Sequence, residues 1–445
     1  MWRDKSQALH IIAGVSLLTI PFIGVHVLFI VCFLGIFGSI IAGNWLISDE
    51  KRRGAVYLLV SASVLFGTVL LSNTVYSMGI ATRALPLFVA GASLGVVTFG
   101  DFILNILIKE SYAKKPKLGK VSTSMIFLGV SISIILVMSE WIIKFTNTHI
   151  SIDMMIFLST LGGISASLFG SITPRYMYNL TVPIGSAMVM WLFFDVGYSV
   201  PSQHLAMVFL LALGLGYLAH RMRIADLTAL FSATLIGVLV ISFGNIWWFL
   251  LVLLFFVVGG GFTKYKYSVK EELGVAEASG GVRGYTNVFS NTLPVLAVAV
   301  MYRIFPDMDY ALFCAFVGGL SCAIADTLAS EIGETSSSPP RLITNLKTVK
   351  VGTDGGITFL GEVASLFGSL LMGVVASLFL VAGYVGVEVE WVEMMVVSVM
   401  CGMFGSNIDS LLGATMQRRR KIGNSGVNLL ATTLSTVLGL VIAVL

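Results

Sequence analysis

The chain is a succession of long apolar runs, recurring from Leu9 to Leu445 and parted only by short polar or basic stretches. A bilayer imposes that length, because about 20 apolar residues in a helix cross roughly 30 Å of hydrocarbon with every backbone polar group satisfied internally. Charge is scarce in proportion: 11% of the 445 residues are Asp, Glu, Lys or Arg and 57% are hydrophobic. A soluble protein of this length could not cover itself with so few charges. Alternating ten-residue segments of the β-barrel kind are absent. The sequence therefore predicts an all-α, polytopic integral membrane protein. The opening MWRDKSQALHIIAG has no small-residue cleavage site after it and is read as an uncleaved first span. Cys32, Cys314, Cys322 and Cys401 fall inside apolar runs without metal-ligand spacing, which suits small buried hydrophobes.

Fifteen spans are expected, at 8–24, 27–48, 54–72, 86–108, 122–144, 154–172, 181–197, 203–219, 224–243, 245–262, 291–306, 308–333, 356–385, 391–413 and 426–445. The 356–385 segment is long enough to be tilted or broken near Gly368 or Gly373. Alternating the sides from a cytoplasmic N-terminus puts all of the 27 Lys and Arg on one side except Arg83, Lys144 and Arg303. Basic loops stay on the cytoplasmic side, so the expected orientation is N-in, C-out, in the cell membrane.

Spans 1–7 and 9–15 can be laid over each other in the same direction. The expectation is a parallel tandem repeat of two seven-helix halves, residues 1–200 and 223–445, joined by a linker helix within 201–222. Local likenesses fall at matching places: KRRGAV (51–56) with GVRGYTNV (281–288), FGDFIL (99–104) with IADTLA (324–329), and YNLTVP (178–183) with VNLLAT (427–432). Parallel repeats occur in transporters as well, so duplication does not choose a function.

Ionisable residues within spans are costly and mark functional candidates. Asp326 lies in the cytoplasmic third of its span. At about 100° per residue, Ser330 and Gly333 share its helix face and Glu331 lies about 140° around. After Pro339 and Pro340 come Arg341, Lys347 and Lys350, then VGTDGGIT leading into the next span. Gly352, Gly355 and Gly356 permit close backbone approach, and a glycine-rich turn feeding a helix N-terminus suits phosphate. Lys347 and Lys350 offer phosphate contacts, Lys347 as a catalytic candidate. Asp354, Thr353 and Thr358 suit a Mg²⁺ shell, with Glu362 one turn further. Ser406, Asn407, Asp409 and Asn428 converge from the last cytoplasmic loop, and Arg283, Asn287 and Asn291 from RGYTNVFSN. Asp326, Glu331, Asp354 and Asp409 are thus the candidate catalytic acids, and Asp326, Glu331, Asp354 and Glu362 the candidate metal ligands. Acids with bases and glycine-rich helix starts at one depth suggest Mg²⁺ with a polyphosphate, where catalysis is charge neutralisation and positioning. The apolar spans then hold a lipid acceptor. No nucleic-acid partner is expected.

These residues also carry a resemblance. RGYTNVFSN, ADTLASEIG, PRLIT…K…VGTDGGIT, GE…S…G and GS…DSLLGATMQ make the region from about 224 to 445 resemble the membrane family that includes the plant phytyl-phosphate kinase. The resemblance implies phosphoryl transfer from a nucleoside triphosphate, CTP, to an isoprenyl monophosphate, giving the diphosphate. The first half more faintly resembles the CTP-dependent dolichol and phytol kinases, which act on a free polyprenol. Arg3, Lys5, His10, Gly100, Asp101 and NLTVPIG (179–185) carry that likeness, with Asp101 and Asn179 as its candidate site. Met177 and Tyr178 stand where that family has two acids, and Gly170 where it tends to have Glu. Such a half would be degenerate or serve mainly to bind lipid. Two other functions compete. A transporter of an anionic or lipid-linked solute would want polar residues near the midplane and on both faces. A membrane cytidylyltransferase would share the metal logic but release pyrophosphate rather than CDP.

Overall fold

The structure, a computed structural model, describes residues 12–41, 50–80, 83–104, 106, 120–146, 148–387 and 390–445. Arg3, Lys5, His10 and the lysines of the 109–117 loop lie outside the described residues. A helix runs through each of the fifteen apolar segments. Among the described residues, however, eleven helices are long and apolar enough to cross a membrane, rather than fifteen. Ile12–Phe22, Val25–Ile41 and Leu227–Phe243 are apolar but shorter. Tyr285–Ile304 has the length, but its first half carries Asn287, Ser290, Asn291 and Thr292. The 356–385 segment is also corrected. Residues 356–357 form a short strand, and Phe359–Val381 is one helix, uninterrupted at Gly368 and Gly373.

The chain divides into two units, Met1–Met207 and Val208–Leu445. In the first, α1 (Ile12–Phe22), α2 (Val25–Ile41), α3 (Glu50–Ser77), α4 (Leu87–Leu104), α5 (Lys120–Phe145), α6 (Ile152–Ile172) and α7 (Tyr178–Val196) follow in order. Helices α4 to α7 pack on one another in sequence order, and α3 packs on α2 and α7. Ser151 starts α6 by accepting the Met154 N–H at 3.1 Å, which satisfies one of the four donors a helix start leaves open. The division between units falls within α8 (Ser202–Arg221).

The second unit is built around α13 (Asp309–Gly333), which packs against α10 (Ile246–Thr263), α12 (Tyr285–Ile304), α14 (Phe359–Val381), α15 (Trp391–Leu412) and α16 (Asn424–Val444). Helix α9 (Leu227–Phe243) lies against α10 and α12. Small residues explain why α13 is central. With little hydrophobic drive between helices in lipid, association rests on close backbone approach and interhelical hydrogen bonds. A Cβ at Gly402 of α15 would lie 3.1 Å from the Ser321 carbonyl oxygen of α13, and one at Gly368 of α14 would lie 3.2 Å from the Ala325 Cα. Of the two glycines expected to break α14, Gly368 instead lets it approach α13, and Gly373 lies against Met395 and Ser398 of α15. Serine hydroxyls tie the same crossing: Ser321 and Ser398 lie 2.7 Å apart, and Ser398 also lies 2.7 Å from the Ser369 carbonyl. Cys314, Cys322 and Cys401 are buried in these interfaces as free thiols.

Candidate functional site

The chain enters the site through the end of α13. Asp326, Ser330 and Gly333, expected on one helix face, line one cavity of about 200 Å³ together with the 352–356 turn. The segment that follows is held as a compact loop. Strand β1 (Arg341–Leu342) pairs antiparallel with β2 (Gly356–Ile357), and the Ile343 N–H donates to the Gly355 carbonyl at 3.0 Å. Gly352 and Gly355 have φ of +78° each, a region that L side chains rarely adopt. Gly355 has a second constraint, since a Cβ there would lie 2.4 Å from the Ala414 Cβ and 2.5 Å from the Ser410 carbonyl oxygen. Glycine is thus what lets this loop lie against α15. Thr358 caps α14 by accepting the Gly361 N–H at 3.0 Å, and Thr353 donates to the Lys350 carbonyl at 2.7 Å. Both hydroxyls, expected to reach phosphate or metal, hold the loop in shape. The side chains of Lys347 and Lys350 are exposed and belong to neither cavity lining.

A second cavity, of about 270 Å³, adjoins the first and shares Asp326, Ser330, Glu334, Asp409 and Asn424 as a common wall. Its other side is formed by Arg283, Asn287, Asn291 and Asn428, together with Glu331. The two lobes sit at one end of the second unit, where α13 and α15 end and α12, α14 and α16 begin. Ser406 is buried and lines the first lobe. Asn407 lines neither, and donates to Glu362 Oε2 at 3.2 Å and to the Met403 carbonyl at 2.9 Å.

The acids differ sharply in their partners. Glu331 forms a buried ion pair with Lys270. Asp354 accepts from Gln417 Nε2 at 2.9 Å, from a π-helical turn at Gly413–Gln417 that ends α15. With the Asn428 amide oriented so that its nitrogen faces Asp409, the carboxylate accepts from it at 3.2 Å, and Asp409 lies in the field of Asp326 and Asp354. Among the described residues nothing donates to the Asp326 carboxylate. The four acids expected as a metal shell, Asp326, Glu331, Asp354 and Glu362, are therefore not brought together around one ion. Among the described residues, no three His, Cys, Asp or Glu side chains cluster as ligands. The donor chemistry still fits Mg²⁺. It takes one or two carboxylates and completes its octahedron with water and substrate phosphate, and Asp326 with Asp409 presents such hard oxygens without a paired base.

Lys270 and Gln417 are the residues that sequence reasoning missed. Lys270, on the short α11 (Tyr267–Glu272), is fully buried and also donates to the Thr263 carbonyl at 2.8 Å. In the sequence it reads only as one more base of a cytoplasmic loop. Glu334 lies just past the end of α13 and lines both lobes. Burial, and then the charge of Glu331, push its carboxyl from the ordinary 4.5 up to about 7. Between those values the folded state keeps a proton that the unfolded chain has released, so stability falls as pH rises through the window. Glu334→Gln is accordingly expected to raise the thermal midpoint in detergent at pH 8 and to leave it nearly unchanged at pH 4.5.

In the first unit, the Asp101 carboxylate accepts from the Tyr178 hydroxyl at 3.0 Å. The Tyr178 ring lies against Gly170, where a Cβ would come within 3.1 Å of it. Asn179 is buried and donates to the Gly54 carbonyl at 2.9 Å. Both candidates of this half are thus engaged with the protein itself.

Comparison with known proteins places these observations in a family context. The family model described as integral membrane protein DUF92 matches residues 210–436, just over half of the chain. Similar proteins include an uncharacterized membrane protein of Methanocaldococcus jannaschii, 33% identical over 164 residues, which are 36% of this chain and 62% of that protein. Protein PGR of Arabidopsis thaliana is 31% identical over 186 residues, 37% of this chain and 65% of that protein. Protein VTE6, chloroplastic, of the same plant is 28% identical over 184 residues, 40% of this chain and 53% of that protein. The chain thus spans less than two thirds of the length of each of these relatives. No solved structure matches it.

Proposed function

The chain belongs to the DUF92 family of integral membrane proteins, and from that premise we propose that its second unit is a kinase of isoprenyl monophosphates. The reaction is in-line displacement. A terminal oxygen of the isoprenyl phosphate forms a bond to the γ-phosphorus of CTP, the β–γ bridging P–O bond breaks, and isoprenyl diphosphate and CDP leave. The observation that carries this reading is that Asp326 and the Gly352–Gly356 turn line one cavity at the end of a helix bundle. The likeness of ADTLASEIG and VGTDGGIT to the phytyl-phosphate kinase family supplies the classes of donor and acceptor.

Phosphoryl transfer asks little covalent chemistry of a protein, and catalysis is positioning plus neutralisation of charge. Mg²⁺, held by Asp326 and Asp409, would neutralise charge on the phosphates of the donor. The chain's own part is to hold those acids at a fixed depth and to offer backbone N–H groups. Among the described residues, the N–H groups of Gly352, Asp354 and Gly355 donate to no protein acceptor, which leaves them for phosphate oxygens. The basic residues of the loops at this end support a cytoplasmic placement of the site. In the first unit, Tyr178 engages Asp101, so that unit is assigned to lipid binding rather than to transfer.

The test is incubation of purified protein with labelled CTP, Mg²⁺ and geranylgeranyl or phytyl monophosphate. Lipid diphosphate and CDP are the expected products. Absence of lipid product with CTP, UTP, ATP or GTP overturns the reading, and release of pyrophosphate would make the protein a cytidylyltransferase. Product from the free alcohol would assign transfer to the first unit after all.

A further inference from the structure

The two lobes differ in charge in a way that separates two ligands. The lining of the first holds Asp326, Glu334, Asp354, Glu362 and Asp409 and no Lys, Arg or His. An anion enters such a lobe only if it brings its own cations. The second lobe shares Asp326, Glu334 and Asp409 with the first and adds Glu277 and the Lys270-paired Glu331, but it alone has a fixed base, Arg283, faced by the amides of Asn287, Asn291 and Asn428. Building on the kinase reading, we infer that the second lobe receives the bare phosphate head of the lipid acceptor, while the first receives the metal-laden polyphosphate of the donor.

Arg283 is held in place for that task. Its backbone is pinned on both sides, with its N–H donating to the Ile224 carbonyl at 2.9 Å and its carbonyl accepting the Asp226 N–H at 2.9 Å. The guanidinium lies 5.5 Å from the centre of the Phe255 ring, and a Cβ at Gly259 would come within 2.7 Å of it, so glycine leaves it room. Among the described residues, the one hydrogen bond the guanidinium makes, to Thr263 Oγ1, is long at 3.4 Å. Of the two acids whose charge reaches it, Glu331 is already bound to Lys270, and Glu277 makes no hydrogen bond to the guanidinium among the described residues. A planar guanidinium with donors to spare suits a phosphate bidentately, and Asn287 and Asn291, one helical turn apart on α12, line the same lobe. The shared wall of Asp326, Ser330, Asp409 and Asn424 is then where the phosphoryl group crosses from one lobe to the other.

Steady-state kinetics on the full chain in detergent, varying each substrate in turn, test the division. Arg283→Gln is expected to raise the KM for phytyl monophosphate by about 10- to 100-fold and to leave the KM for CTP within about threefold, as loss of a charge-assisted hydrogen bond predicts. Asp354→Asn is expected to move the CTP KM alone. A readout without turnover is retention of labelled phytyl monophosphate by the protein with no nucleotide present. Arg283→Gln should lose that retention, while retention of uncharged phytol stays equal to that of the unaltered protein. Asn287→Ala, which leaves the guanidinium in place, should weaken it to a lesser degree and covers the case in which Arg283→Gln fails to fold. If the Arg283 or Asn287 variants raise the CTP KM and spare the acceptor KM, the assignment of lobes is wrong and the kinase reading stands. If the unaltered protein transfers nothing, the kinase reading itself falls. Retention of phytyl monophosphate that withstands both variants then overturns the lobe assignment on its own.

Discussion

Asp326→Asn is expected to lower phosphoryl transfer by about a thousandfold or more while leaving the protein as stable as before, or more so. The rate estimate follows from the size of electrostatic contributions in phosphoryl-transfer sites, where losing one preorganised charge costs on the order of 10²–10³ and losing a metal ligand adds to it. The stability estimate follows from what the carboxylate lacks. Asp326 lies within an apolar span, and among the described residues no donor reaches it. An uncompensated charge there is a cost to the folded state that the amide does not carry. A merely structural aspartate would behave in the opposite way, since its removal would take stability and activity together. The checks are product formation at saturating CTP and the thermal midpoint in detergent, on the same preparation. Glu393→Gln is the control. Glu393 sits in the first turn of α15, at the other end of that helix from Asp409, and bonds to Tyr310 there. Its loss should leave turnover unchanged.

Much of this site could be read from local spacing, because the relevant geometry is helical. At about 100° per residue, Asp326, Ser330 and Gly333 must share a face whatever surrounds them, and they line one lobe. The glycines of VGTDGG likewise announce a turn, and two of them have positive φ. What stayed hidden depends on chain distance. Lys270 and Glu331 are 61 residues apart, and Asp354 and Gln417 are 63 apart. Nothing in either neighbourhood names its partner. Composition also blurred function with topology, since Lys347 and Lys350 look like phosphate ligands beside a glycine turn yet are exposed and line neither lobe. The long 356–385 run hid a two-residue strand at 356–357 and a helix start at Phe359, because Gly356 and Thr358 are not polar enough to end an apolar run.

Lys270→Met is expected to destabilise the protein more than any substitution inside the site, by about 3–5 kcal/mol, the range found when one partner of a buried ion pair is removed. The Lys270 ammonium is fully buried and bonds to the Glu331 carboxylate and the Thr263 carbonyl, so a single change orphans both. The released Glu331 charge would face Arg283 and Glu334 in the second lobe, making it more negative and weakening acceptor binding as well. Lys270→Met combined with Glu331→Leu should recover most of the lost stability, because a pair of apolar side chains leaves no stranded charge. The double variant should recover acceptor affinity as well, since the stranded Glu331 charge beside Arg283 is gone. Thermal midpoints of the two single variants and the double variant complete the cycle. Equal loss in the double and in Lys270→Met would mean that the ammonium matters through the backbone carbonyls rather than through the carboxylate.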